Sequence, residues 1–279
     1  MKVSVIIPTF NEQDSILECL SSLEDQFLKD FEVIVVDDGS TDKTLEILRK
    51  YKALNYKLSY FVQKHLGPGA ARNFAAKKTE GKILVFVDAD MTFAKDFLKK
   101  LISPIEEGRV KGTFSKEEYV SNWDNVWARC WNINEGWEEK RRHPKNYPNK
   151  QKVFRAILKE EFEKVHGFDP GGYNDDWSLY RKLKYKAVSS DGAIFYHKNP
   201  SSLKEVFEHA KWVGKRPYKL GIIGKLYTLW ISLFPFSTIF GFYKYLIKGE
   251  IAFVIFKIVY DFGIFYGIIE AMLTKNYAK

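Results

Sequence analysis

Residues Ile83–Val87 read ILVFV and run without interruption into Asp88-Ala89-Asp90. An apolar run this short, ended by acids, suits a strand buried on both faces of a sheet, and such strands belong to parallel α/β sheets. Three other stretches have the same character: Val3–Pro8 (VSVIIP), the stretch FEVIVVDDGS, and Leu58–Val62. Helical signals separate them. Asp14–Gln26 carries Ile16, Leu17, Leu20 and Leu23 at helical spacing, Ser40 or Thr41 would cap a helix through about Tyr51, and Gly67–Lys78 reads as a turn and helix. Strand alternating with helix predicts a mostly parallel central sheet. Ligands of such sheets bind at the carboxyl ends of the strands. Asp37, Asp38, Asp88 and Asp90 all fall there.

Two carboxylates at positions i and i+2 after a buried strand repel each other unless something neutralises them. A hard divalent cation would do so, taking its remaining ligands from water and from substrate phosphates. The competing account has Asp88 capping a turn and Asp90 capping the next helix. Composition narrows the partner. The chain has 279 residues, a formal net charge of +9 and 46% hydrophobic residues, which suits a sizeable core and an acidic or membrane-surface partner. Nucleic acid is excluded as the preferred partner, because the excess base clusters beside the apolar C-terminal stretch. No G-x-G-x-x-G follows the first strand, which argues against a dehydrogenase. Cys19 and Cys130 have neither zinc nor disulfide-framework spacing, so a reducing compartment is expected. The apolar part of MKVSVIIPTF meets Pro8 too early for a signal peptide.

Taken in order, IIPTFNE, VVDDGSTDKT, GPGAARN and FVDADM resemble the family-2 glycosyltransferases, over roughly Lys2–Pro217. The resemblance implies a GT-A-type nucleotide-sugar-binding domain at residues 1–217. It implies that Pro8, Phe10 and Glu12, with Asp37 or Asp38, hold the base and ribose. Asp88, with Ala89 beside it, would reach the ribose or sugar side, Asp90 would hold Mg2+ or Mn2+ with Asp88 adjoining, and Arg72 would line the same pocket. The segment EEFEKVHGFDPGGYNDDWSLYRKL resembles the family segment that ends in an acid pair. Here the pair is Asp175-Asp176, and the spacing behind it is one residue short. Either aspartate could then be the general base, with Asp176 preferred. The stretch FYHKNPSSLKEVFEHAKWVGKRPY resembles the end of the family's catalytic domain. There His197 is a candidate metal ligand or phosphate contact, and EHAKW stands where processive members carry Gln-x-x-Arg-Trp. Lys211, Trp212, Lys215 and Arg216 are therefore candidates for the donor diphosphate, or for a basic surface facing anionic lipid.

From Val110 the pattern is less regular. Gln151–Ile157 reads as a strand, Lys159–Val165 and Trp177–Lys184 as short helices, the polar and basic stretch from Glu138 as a mobile loop, and Leu203–Val213 as an amphipathic helix. Beyond residue 218 the character changes. Leu226–Tyr243 holds no charge over eighteen positions, the lower limit for a membrane-spanning helix. Ile251–Leu273 is apolar but carries Lys257, Asp261 and Glu270, and the first two are spaced to pair. Residues 218–279 are read as a helical membrane hairpin in preference to interfacial helices or a buried soluble pair, with basic flanks on the cytoplasmic side of the cell membrane.

The sum is an inverting, metal-dependent enzyme moving a hexose, mannose included, from a UDP- or GDP-sugar to a hydroxyl of a lipid-linked or polyprenyl acceptor. The alternatives are a polyprenyl-phosphate mannose or glucose synthase, whose ionised acceptor needs no base, and a nucleotide-sugar-binding membrane scaffold without turnover.

Overall fold

Seven elements alternate as the apolar pattern requires: β1 (Val3–Thr9), α1 (Ile16–Glu24), β2 (Phe31–Asp37), α2 (Thr44–Lys50), β3 (Lys57–Val62), α3 (Pro68–Ala76) and β4 (Ile83–Phe86). They are seen in a computed structural model that describes residues 2–169 and 177–274. β5 (Met91–Phe93), α4 (Phe97–Glu106), β6 (Gly112–Phe114), β7 (Glu118–Val120) and α5 (Val126–Glu135) follow. Next come β8 (Lys150–Gln151), β9 (Ala156–Leu158), α6 (Lys159–Lys164), α7 (Ser178–Leu183), β10 (Ala187–Ser189) and β11 (Phe195–His197). The last four helices are α8 (Leu203–Gly214), α9 (Gly221–Ile231), α10 (Phe234–Lys248) and α11 (Ala252–Thr274).

The chain divides into two units. One is Met1–Tyr119 with Asn146–His197, and the other is Val120–Lys145 with Lys198–Lys279. This differs from a division at residue 217, because residues 120–145 and 198–217 group with the C-terminal helices.

The first unit is built on an eight-stranded sheet of order β3-β2-β1-β4-β9-β6-β10-β8. β3, β2, β1 and β4 are parallel neighbours, whereas β9 runs antiparallel to both β4 and β6. The sheet is thus parallel in its first half and mixed in its second. Every residue of β1 and β2 is buried, whereas β3, at the sheet edge, has no fully buried residue. Alternate β1 residues feed opposite layers. Val3, Val5 and Ile7 pack with Ile16, Leu20 and Leu23 of α1 and with Leu98 and Leu101 of α4, while Ile6 packs with Ala71 and Ala75 of α3 and Phe162 of α6. The buried stripe of α1 uses Cys19 rather than Leu17, which is 51% exposed. The stretch Gln151–Ile157 is not one strand. β8 pairs with β10 at the sheet edge, then the chain crosses to insert β9 between β4 and β6. A small second sheet, β5-β11-β7, brings residues near 92, 118 and 196 together.

In the second unit, α11 is the longest element. Gly263 and Gly267 let α8 approach it closely: a Cβ at Gly267 would lie 2.1 Å from the carbonyl oxygen of Lys211, and one at Gly263 would lie 2.7 Å from that of Phe207. The expected pairing in α11 is present, with Lys257 Nζ 2.7 Å from Asp261 Oδ1 and the Ser237 hydroxyl donating to Asp261 Oδ2 at 2.7 Å. Leu226–Tyr243, expected as one apolar helix, is broken. α9 and α10 meet at Ser232–Leu233 with a 69° bend, where Pro235 occupies the first turn of α10 and has no N–H with which to continue the α9 ladder. Among the described residues α11 is the one single helix long and apolar enough to cross a membrane. The loop that begins at Glu138 is tied down, because the Asn132 amide donates to the carbonyls of Glu138 and Arg141 at 2.9 and 2.8 Å.

Candidate active site

The carboxyl ends of β1, β2 and β4 lie side by side, and the loops leaving them build the site. After Thr9 the chain turns through Asn11, whose φ of 57° is left-handed. Two loops are then laced together. Asn11 N–H donates to Ser40 Oγ, Glu12 N–H to Thr44 Oγ1, and Thr41 N–H to Asn11 Oδ1. Ser40 and Thr41 therefore lock the Phe10–Glu12 turn instead of capping α2. Phe10 emerges 39% exposed and stacks on His65 with centroids 4.2 Å apart. Pro8 is buried opposite Val36, beyond the last β1–β4 pair, where its missing N–H breaks no ladder on the β4 side.

The neighbouring aspartates divide their work. Asp37 Oδ1 accepts from the N–H groups of Gly39 and Ser40 and closes the turn there, with Gly39 at φ 85°. Asp38 is nearly inaccessible. It accepts from Gln63 Nε2 and the N–H groups of Leu66 and Gly67, and its Oδ2 lies 3.0 Å from His65 Nδ1. Asp38 thus holds the His65–Gly67 loop that carries the stacked imidazole and starts α3.

Asp88 answers the question of repulsion within the acid pair. Its Oδ1 accepts from Arg72 at 2.8 Å and its Oδ2 from Arg155 at 3.1 Å. Burial disfavours its charged form, but attraction from Arg155, Arg72 and His197 outweighs burial and holds the carboxyl far below the usual carboxylate range. Arg72 is itself buried on α3 and lies over the Phe168 ring at 5.5 Å. No helix starts after Asp90. β5 follows directly, so the helix-cap account of Asp90 fails. Ala89 is buried in the core beneath the pair.

Asp90 Oδ2 lies 2.7 Å from His197 Nε2, and His197 Nδ1 lies 2.8 Å from Glu118 Oε1. A carboxylate on the far ring nitrogen is the support that metal-binding histidines commonly have. Among the described residues no group of three or more His, Cys, Asp or Glu is arranged around a metal position. The protein would therefore supply Asp90 and His197, with the other ligands coming from water and donor phosphates, as Mg2+ prefers. The spacing fits: cis ligands at bonds of ~2.1 Å stand about 3 Å apart, close to the observed contact. Asp88 contributes differently, since both of its oxygens are engaged by arginines.

Glu12 borders the same cluster. Its carboxyl is pushed up to about 7, chiefly by burial and further by repulsion from Asp90 and Asp88, against a hydrogen bond from Ser15 and attraction from His197. The site is thus an acidic cluster balanced by two guanidinium groups and an imidazole, with a stacked aromatic pair at one end.

His65, Glu118 and Arg155 were not among the candidates read from the sequence. The aromatic His65 just before GPG was a usable signal; nothing local marked Glu118 or Arg155. Lys211 and Lys215 belong to the second unit, where both pair with Glu270 at 3.0 and 2.9 Å; Trp212 is 45% exposed and Arg216 follows at the end of α8. Asp175 and Asp176 lie outside the described residues.

Residues 4–165, more than half of the chain, match the family model described as Glycosyl transferase family 2. A curated relative, the poly(ribitol-phosphate) beta-N-acetylglucosaminyltransferase TarS of Staphylococcus aureus (strain Mu50 / ATCC 700699), is 48% identical over 110 residues. The match covers 38% of this chain and 19% of the relative, so the chain spans under a fifth of that protein's length. Among solved structures, the mannosyltransferase PcManGT from Pyrobaculum calidifontis, in complex with GDP-Man and Mn2+, aligns with a TM-score of 0.62 at 19% identity, over 99% of this chain and 88% of that one. S. aureus TarS 1-349 in complex with UDP-GlcNAc aligns with a TM-score of 0.53 at 20% identity, over 100% and 93%. At these identities the structural likeness shows the fold.

Proposed function

Because the chain belongs to glycosyl transferase family 2 and has a GT-A-type α/β fold, we propose that it is an inverting, metal-dependent hexosyltransferase. Its donor is a UDP- or GDP-hexose, and its acceptor is a hydroxyl on a polymer or lipid-linked glycan. The observation that carries this reading is the paired arrangement at the end of β4. Asp88 is held by Arg72 and Arg155, and Asp90 is held by His197, which Glu118 orients.

Each residue then has a task. Phe10 and His65 form a flat aromatic wall for the base, and Asp37 and Asp38 shape the loops beside it. Asp88, fixed in position by its two arginines, faces the ribose or sugar. Arg72 and Arg155 offset the charge of the acids, which lowers the repulsion a diphosphate meets. Asp90 and His197 would hold Mg2+ or Mn2+, which when bound supplies positive charge to the leaving diphosphate. Asp176, or Asp175 beside it, takes the proton of the acceptor hydroxyl as its oxygen bonds to the anomeric carbon from the face opposite the leaving group. The anomeric carbon–phosphate oxygen bond breaks in the same displacement, and the nucleoside diphosphate leaves with the electron pair.

The reading includes attachment to the cytoplasmic face of a membrane. It is supported by the exposed apolar side chains of α9 and α10 and by the basic residues around them. The test is a donor panel of UDP- and GDP-hexoses, scored by nucleotide release with a membrane-lipid and cell-wall-polymer extract as acceptor. One donor turned over only with acceptor and divalent cation is the expected result. Nucleotide-sugar binding without release from any donor would favour a non-catalytic scaffold.

A further inference from the structure

The second unit contains a long apolar helix, yet its surroundings do not suit a bilayer crossing. α11 is accompanied along its length by polar helices. At its start Glu250 pairs with Arg129 of α5 at 2.9 Å, and Trp131 of α5 packs edge-on against Phe256 and Tyr260. α8 lies against Gly263 and Gly267, and near the far end Lys211 and Lys215 pair with Glu270. The exposed face of α8 carries Lys204, Glu205 and Glu208. If α11 crossed a bilayer, these groups would enter the hydrocarbon with it, and each charge placed at the centre disfavours insertion by roughly a hundredfold. The small-residue face of α11, which could have paired two spanning helices, is already occupied by α8. α11 is thus the central support of this unit, with α5, α8 and α10 packed around it and only part of its surface open.

α9 and α10 differ. α9 buries no residue, and α10 buries only Ser237 and Gly241. At 11 and 15 residues they extend about 16 and 22 Å, each short of the ~30 Å hydrocarbon core. The 69° bend between them prevents their adding into one straight span. Their outward side presents Ile223, Trp230, Phe234, Ile239 and Leu246, all more than half exposed. The segment itself carries charge of one sign. Between Glu208 and Glu250 the sequence holds seven Lys or Arg and no Asp or Glu. Lys211 and Lys215 are paired with Glu270, and Glu139 and Glu250 line a pocket with Lys244 and Lys248, so the edge is mixed but keeps a cationic excess, which complements an anionic lipid leaflet.

We propose that α9 and α10 form a one-leaflet docking surface: they lie along the face of an anionic bilayer, their apolar side in the acyl boundary and Lys219, Lys244 and Lys248 among the headgroups, while α11 stays outside the hydrocarbon as their support. The inference deepens the membrane attachment in the functional reading and rests on it. The mode of attachment follows from the packing: the face that is open is broad, shallow and interrupted, and the one helix of spanning length is covered by α8 along its glycine face and pinned to charged groups at both ends.

The test adds the full-length protein to preformed vesicles of phosphatidylcholine, with and without phosphatidylglycerol, and reads flotation. Combined Lys219→Gln, Lys244→Gln and Lys248→Gln changes are expected to weaken partition onto the anionic vesicles roughly a hundredfold, at about fivefold per lysine, and onto neutral ones little. Cys19 and Cys130 are buried, so introduced cysteines report alone. Lys248→Cys, at the α10–α11 turn, should react with an impermeant maleimide added outside without detergent, as Lys219→Cys does. A bimane on Ile239→Cys should be quenched by shallow spin-labelled lipids and not by centre-labelled ones. Flotation with Lys248→Cys protected until detergent is added and the bimane quenched from the bilayer centre would overturn the one-leaflet arrangement alone. Absence of flotation with either vesicle would overturn membrane attachment itself.

Discussion

Replacing Glu12 by glutamine tests the electrostatics of the site without changing Asp90 or His197, the residues that would hold the metal. The ordinary glutamate value is 4.5, and the Glu12 carboxyl is pushed up to about 7, a difference of 2.5 in pH. The folded protein therefore binds this proton more tightly than the unfolded chain does. The stability tied to it is complete below 4.5 and is lost as the pH rises through 7. At 1.36 kcal/mol per pH unit the loss comes to about 3 kcal/mol. Glutamine keeps the size and an acceptor for Ser15 but carries no charge to be repelled by Asp90 and Asp88. Urea denaturation followed by circular dichroism in excess chelator should show Glu12→Gln gaining about 3 kcal/mol on the wild type between about pH 4 and about pH 8. Added Mn2+ should shrink the gain, because a cation near Asp90 offsets the repulsion. A variant-to-wild-type difference constant with pH, or one favouring the wild type at high pH, would refute the cluster as drawn.

Four further outcomes are expected. Asp90→Ala, or chelation of the wild type, should abolish transfer, and full activity in excess chelator would remove the metal from the reading. Asp176→Asn should leave donor affinity near that of the wild type while lowering turnover at least ~100-fold, within the range for losing a general base. If only Asp175→Asn does so, the base is the neighbouring residue; if neither does, an ionised phosphate acceptor is indicated. Glu118→Gln should raise the Mn2+ concentration needed for half-maximal activity by roughly 10–100-fold while turnover at saturating cation recovers, since Glu118 acts through the orientation of His197. Gly267→Leu should lower the thermal midpoint of the second unit by a few degrees or more, at about 1–3 kcal/mol for forcing α8 away from α11; an unchanged midpoint would show that this contact does not support the unit.

The alternation of apolar runs and helical stripes was enough to identify the parallel half of the sheet, because a strand buried on both faces must be apolar throughout. The same logic places Asp37, Asp38, Asp88 and Asp90 at strand ends from the sequence alone. Which partner each acid takes depends on distant chain. Asp88 meets Arg155 from 67 residues away, Asp90 meets His197 from 107 away, and His197 meets Glu118 from 79 away. Local pattern holds no record of such pairings, since they arise where β9 inserts between β4 and β6 and where β11 pairs with β5. The apolar tail illustrates the limit most plainly. Hydropathy records how apolar Leu226–Tyr243 and Ile251–Leu273 are, a property of composition alone. Whether those residues face lipid, solvent or protein is a property of packing. Pro235 breaks the first segment and α8 closes over the glycines of the second, so the tertiary structure alone decided which apolar surface was left open.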